Sequence, residues 1–153
     1  MLPVALAVMT ADLISKNIVD KKLGFNQEIP VIKETLCLKK VYNRGAAFGL
    51  FSDNPVLLGI LSGLAFLNVL TVFKRTIEKD SNRVQRFAAA FVLGGAMGNM
   101  VSRLKPGYVV DFLCVKLKKN APVFNVADIF ITLGTIILLK KQKNKTQNAG
   151  PIF

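Results

Sequence analysis

Two aspartates stand out in the stretch GYVVDFLCVKLKKNAPVFNVADIF, residues 107 to 130: Asp111 and Asp128, each set among apolar neighbours. A carboxylate bordering hydrocarbon costs on the order of 2.5 to 3.5 kcal/mol on insertion scales, so it needs a partner or a task. Two carboxylates brought close together at low dielectric cannot both ionise cheaply. One pKa rises, the other falls, and the pair holds one proton near neutral pH. Such a pair is an acid and a base together. On either side of a water molecule it can take the water's proton for attack on a peptide carbonyl while protonating the carbonyl oxygen. The competing account of Asp128, stabilisation by the dipole of a helix N-terminus, is worth only about 0.3 to 1 kcal/mol and hardly explains a carboxylate inside an apolar boundary.

Other polar side chains fall in apolar surroundings. Asn125 lies three residues before Asp128, on the same face of a helix. Asp12 and Lys16 are four apart, one helical turn, and can neutralise one another as a structural polar pair. Asn99 and Arg103 repeat that spacing; Arg103 either snorkels to lipid headgroups or takes part in a site. Asn43 opens the run NRGAAFGLF, in which Gly45 and Gly49 permit a tight approach to the membrane surface. A serine–lysine pair is a weaker alternative: Ser15 and Lys16 point about 100° apart on a helix and cannot meet, whereas Ser102 with Lys16 from another helix stays open. The chain has no histidine, so zinc sites and histidine triads lose their usual parts, and no metal or other cofactor is expected.

The elements that must position these residues are membrane helices. An apolar content of 52% over 153 residues, with positive mean hydropathy, exceeds what a soluble core of this size needs. Four stretches, Leu2 to Val19, Val56 to Phe73, Phe87 to Leu104 and Val123 to Leu139, are each near the roughly 17 to 25 residues that cross a bilayer. The first has no basic leader and no small-x-small cleavage site and carries Asp12 and Lys16, so it reads as a retained helix rather than a signal peptide. Its apolar part before Asp12 is short, as if this helix were longer in related chains. Span three contains Gly94 and Gly98, a GxxxG spacing that lets helices approach closely in lipid.

The connections 20–54 and 105–122 are too polar to span. Two runs in them, ETLCLKKVY (Glu34 to Tyr42) and YVVDFLCVKL (Tyr108 to Leu117), are β-prone and could pair into one platform. The net charge of +12 comes from 21 basic and 9 acidic residues, and the basic ones fall mostly in loops and at span ends. That distribution points to topology and membrane-lipid contacts rather than nucleic acid. Nine cations lie in the 27 residues of 74–86 and 140–153, against ten in the 56 of 19–54 and 104–123. The denser side should be cytoplasmic, with both termini inside and the two larger connections outside. Cys37 and Cys114 both fall in those outer connections, where a disulfide is possible, although lone thiols in an apolar chain are more often small hydrophobes. The expected fold is an all-α membrane protein: one domain over 1–153, with four transmembrane helices and a small extracytoplasmic β-sheet platform.

Taken together, DLISK (Asp12 to Lys16), NRGAAFG (Asn43 to Gly49), GGAMGNMVSR (Gly94 to Arg103), VVDF (Val109 to Phe112) and FNVAD (Phe124 to Asp128) resemble the lipoprotein signal peptidases, the signal peptidase II family of membrane aspartic peptidases. Any one motif is weak; five in order on a four-span pattern are specific. The resemblance implies that Asp111 and Asp128 are the catalytic dyad, that Asn43, Asn99, Arg103 and Asn125 line the substrate site, and that Asp12 and Lys16 match the first-span motif. It implies a bacterial inner-membrane enzyme that cleaves diacylglyceryl-modified prolipoproteins just before the lipidated cysteine, near the outer leaflet. Where the family motif has an aspartate before the span-three arginine, this sequence has Ser102, which would leave Arg103 freer to lean toward the dyad. Two rival functions are weighed: a small cation or proton carrier, disfavoured because both aspartates lie at one face and no inverted repeat is visible, and a non-catalytic scaffold subunit using the glycine-rich helix.

Overall fold

The computed structural model describes residues 1–25, 27–33, 35–45, 54–79, 81–105, 107–116 and 122–148, without the side chains of 55 and 141–148. Outside this set lie Ala46 to Gly49 of the NRGAAFG motif, Glu34 and Leu117 at the ends of the two β-prone runs, and the side chains of Lys141, Lys143 and Lys145. Along the chain come α1 (Leu2–Lys22), β1 (Glu28–Ile32), β2 (Leu36–Asn43), α2 (Pro55–Glu78), α3 (Arg83–Leu104), β3 (Val109–Val115), β4 (Val123–Phe124) and α4 (Val126–Asn148). Among the described residues, α1, α2 and α3 are long and apolar enough to cross a membrane. The described residues are thus mostly helical, forming four helices and one small antiparallel sheet, as the sequence predicts.

Local chemistry sets the helix boundaries. Asn54 caps α2 by accepting from the Leu57 N–H at 3.0 Å, and Pro55 follows where a missing N–H costs nothing. Asn82 and Gln85 form a reciprocal capping box at the start of α3. α4 begins at Val126, three residues later than the predicted span, because Val123 and Phe124 instead pair with Cys114 and Leu113 as β4. α1 continues to Lys22, past the predicted Val19, with Lys21 and Lys22 in the last turn where cations suit the helix dipole.

α3 is the central helix, packed against α1, α2 and α4. Ala88, Ala89, Ala90, Gly94, Gly95 and Gly98 are buried on it. A Cβ at Gly94 would strike the Ala5 carbonyl of α1, one at Gly98 would strike the Asp12 carboxylate, and one at Gly95 would come within 2.6 Å of the Ala127 carbonyl of α4. The small residues therefore serve contacts within the chain, and the scaffold reading loses its main support. The opposite surfaces are apolar and exposed: Val56, Ile60, Leu64 and Leu67 on α2, and Ile129, Leu133, Ile136 and Leu139 on α4. Hydrocarbon is the solvent that suits such faces.

The sheet has the order β1-β2-β3-β4, antiparallel throughout. The two predicted β-prone runs pair as β2 and β3. β1, EIPVI, is an added edge strand whose Pro30 is tolerated there because one side of the strand makes no ladder bonds. β2 carries a bulge: Leu38 pairs with Leu113 and Val41 with Asp111, three steps along one strand against two along the other. The extra residue shifts the register by one and so decides which face each later side chain takes. With it, Asn43 lies on the same face as Val41, diagonal to Asp111. An unbroken register from Leu38 would put Asn43 on the opposite face.

Candidate active site

The two aspartates come from different kinds of element. Asp111 sits in β3, 5% exposed, and Asp128 is in the first turn of α4, half-buried. Asn125, 1% exposed, caps α4 and touches both. Its side-chain oxygen accepts from the Asp128 N–H at 3.0 Å, its backbone N–H donates to Asp128 Oδ2 at 3.2 Å, and its Nδ2 donates to Asp111 Oδ1 at 2.6 Å. The first two bonds are a capping box with aspartate in the third helical position. The third bond turns that cap into a bridge between the carboxylates.

Two more amides complete the arrangement. Asn43 Nδ2 donates to Asp111 Oδ2 at 3.0 Å while its own oxygen accepts from the Gly45 N–H. Asn99 Nδ2 donates to Asp128 Oδ1 at 3.0 Å, and its oxygen accepts from Lys16 Nζ at 2.7 Å and from Asn125 Nδ2 at 3.3 Å. Each of the four carboxylate oxygens thus accepts one N–H and keeps a further lone pair. Burial pushes the Asp111 carboxyl above its ordinary value of 3.8; the bonds from Asn43 and Asn125 oppose that rise, and the nearby Asp128 charge adds to it.

Asp12 and Lys16 form the predicted structural pair at 2.6 Å, and they do more than neutralise each other. Asp12 Oδ1 accepts from the Ala127 N–H at 2.9 Å, so α1 also caps α4. Lys16 reaches Asn99 and so orients the amide that faces Asp128. That cross-helix link was not legible, because no local spacing connects residues 16 and 99.

Ser102 is buried against Lys16, whose Nζ donates to its Oγ at 3.4 Å. The position of the missing aspartate therefore neighbours Lys16. Arg103 makes no hydrogen bond or ion pair with either aspartate among the described residues, and its Nε is buried without a partner there. A cavity of about 390 Å³ lies beside Lys16 and Ser102, so the serine–lysine alternative needs a chemical answer. Lys16 Nζ makes its hydrogen bonds to Asp12, Asn99 and Ser102, and the Ser102 hydroxyl donates to the Gly98 carbonyl at 3.0 Å. With its proton directed at that carbonyl, the hydroxyl does not present it to Lys16 as a general-base pair requires.

Known proteins resemble this chain over most of its length. The family model for Signal peptidase (SPase) II matches residues 4–142. The chain is 36% identical over 130 residues to the lipoprotein signal peptidase of Clostridium tetani (strain Massachusetts / E88), covering 84% of this chain and 82% of that protein. It is 38% identical over 134 residues to that of Moorella thermoacetica (strain ATCC 39073 / JCM 9320), covering 88% and 86%. A bacterial membrane enzyme solved by the in meso method at 2.3 Å superposes with a TM-score of 0.83 at 26% identity, covering 98% of this chain and 91% of the other.

Proposed function

Because the chain belongs to the signal peptidase II family, a family of membrane peptidases, we propose that it removes signal peptides from diacylglyceryl-modified prolipoproteins by aspartic catalysis at Asp111 and Asp128. The observation that carries this reading is Asn125, bonded at once to both carboxylates in a nearly dry setting. A lone structural carboxylate needs no such bridge.

In this mechanism Asp111, whose carboxyl burial raises, holds the shared proton, and the more accessible Asp128 is the base. Asp128 takes a proton from water, the resulting hydroxide oxygen bonds to the scissile carbonyl carbon, and Asp111 gives its proton to the carbonyl oxygen. Collapse of the tetrahedral intermediate breaks the C–N bond. The proton on Asp128 goes to the leaving amine, the new amino terminus of the lipidated cysteine, and the proton on the intermediate's oxygen returns to the dyad. Asn43, Asn99 and Asn125 hold the carboxylates in place, and Arg103, with its unspent buried donor, lines the substrate path.

The whole chain is taken as one peptidase unit in a bacterial inner membrane, its termini cytoplasmic and its sheet on the outer side. There the substrate's acyl chains stay in lipid while the amide reaches the dyad. Purified protein given lipidated and unlipidated forms of one precursor is expected to cleave only the lipidated form, immediately before the modified cysteine. Cleavage of both, of neither, or at another bond would refute this assignment.

A further inference from the structure

The chain's two cysteines, far apart in sequence, meet in the sheet. Cys37 of β2 is the direct partner of Cys114 of β3, and both are buried, at 0% and 1% exposure. The register is fixed on either side by the pairs Leu36 with Val115 and Leu38 with Leu113, and beyond them by the Lys116 N–H donating to the Thr35 carbonyl at 2.9 Å. That last bond makes Thr35 and Lys116 a hydrogen-bonded pair and Cys37 and Cys114, two residues along, another, the type whose Cα atoms lie about 5.5 Å apart with side chains on one face. That spacing lies within the roughly 4.4 to 6.8 Å that a disulfide bridges. Service as small hydrophobes explains the burial of each thiol; it does not explain why the only two in the chain stand opposite each other.

We propose that Cys37 and Cys114 join in a disulfide that staples β2 to β3, the strands that carry Asn43 and Asp111. The proposal rests on the reading above for its compartment, since only an outer sheet meets oxidising conditions. Two S–H bonds break and one S–S bond forms. The two electrons and two protons pass to an external disulfide such as oxidised glutathione, which is cleaved to two thiols by way of a mixed disulfide. In the closed sheet the Cys37 thiol is pushed up to about 11 by burial and by its bond to Cys114, with the Glu28 charge adding and Lys116 opposing. Thiolate is then scarce near neutral pH, so the bond closes while the sheet assembles. Once formed it holds the dyad strand to its asparagine donor.

The test is the thiol state of the full-length protein extracted from the membrane, denatured in iodoacetamide and weighed intact. The expected result is no alkylation, a mass lower by two hydrogen atoms than the reduced protein, and a proteolytic fragment joining the Cys37 and Cys114 peptides that separates on reduction. In Cys37→Ser, Cys114 is expected to alkylate in full. Two fully alkylated thiols, persisting after the denatured protein is refolded with oxidised glutathione, would overturn the proposal, as would a blocked Cys114 in Cys37→Ser. Free thiols in an enzyme that still cleaves the lipidated precursor would sink the staple alone, and a bonded pair in a protein that cleaves nothing would sink the functional reading alone.

Discussion

At the scale of residues, the site is an arrangement of amides that hold two acids apart yet joined. Asn43 and Asn125 both donate to Asp111, and both bonds favour its ionised form, whereas burial and the Asp128 charge favour the protonated one. The balance lies above the ordinary 3.8. Asp111 therefore stabilises the fold most at acidic pH, and that contribution is lost as pH rises through its folded-state pKa. The same titration sets the alkaline limb of activity in the proposed mechanism, because an ionised Asp111 has no proton to give. Asn43→Ala removes a bond that holds the pKa down, so the alkaline limb of kcat should move to higher pH, alongside a fall in kcat. A pH–rate profile of the two proteins checks this, and an unmoved or lowered limb would remove Asn43 from the account.

At the scale of elements, the site depends on how closely three helices and two strands converge. Gly95 faces the Ala127 carbonyl in the first turn of α4, the turn that carries Asp128. Gly95→Ala should push that turn away, lowering stability by about 1 to 3 kcal/mol as overpacking does and reducing cleavage with it. Gly63 on α2 has no atom within 4 Å of an added Cβ. Gly63→Ala should instead raise stability by about 0.5 to 1 kcal/mol through backbone entropy, leaving cleavage unchanged. Thermal unfolding of both variants in detergent gives opposite signs if α3 is the packed helix and α2 the lipid-facing one. Equal signs would contradict that division.

These elements also show what the sequence could and could not say. Helices α1 to α3 announce themselves by apolar length, and the β-prone runs of β2 and β3 by composition. β1 was hidden by Pro30, which argues against a strand unless the strand is at an edge. β4 was hidden inside an apolar run that reads equally well as helix. The bulge between Leu38 and Val41, which sets Asn43 beside Asp111, leaves no sequence signal, since it follows from pairing with a distant strand. Likewise Asp12 and Lys16 were legible as a pair, but their bonds to Ala127 and Asn99 arise only when α1, α3 and α4 meet.

At the scale of the whole molecule, polar groups are gathered inside and at one end while apolar side chains cover the flanks. Among the described residues the buried polar set is Asp12, Lys16, Ser102, Asp111 and Asn125. All five lie in or beside the hydrogen-bonded chain that runs from α1 through α3 to α4 and the sheet. A membrane protein keeps such groups only where they are satisfied or used. The topology proposed here places the sheet outside and the α2–α3 turn inside. Single cysteines introduced into a Cys37→Ser/Cys114→Ser background, at Lys33 by β1 and at Lys79 after α2, should react with an impermeant maleimide in intact cells only at position 33. Reaction at 79 alone would invert the topology.

The central claim is that Asp111 and Asp128 act as one unit with one shared proton. Groups that act as a unit lose their effect together, so a second substitution costs nothing once the first is made. The decisive measurement is the cleavage rate of the lipidated precursor by wild type, Asp111→Asn, Asp128→Asn and the double variant, each shown to be folded. The account predicts that each single variant loses roughly 10²- to 10⁴-fold in kcat, as general acid–base groups do, and that the double variant is no slower than the slower single. A single variant working near the wild-type rate, or losses that multiply in the double variant, would contradict it.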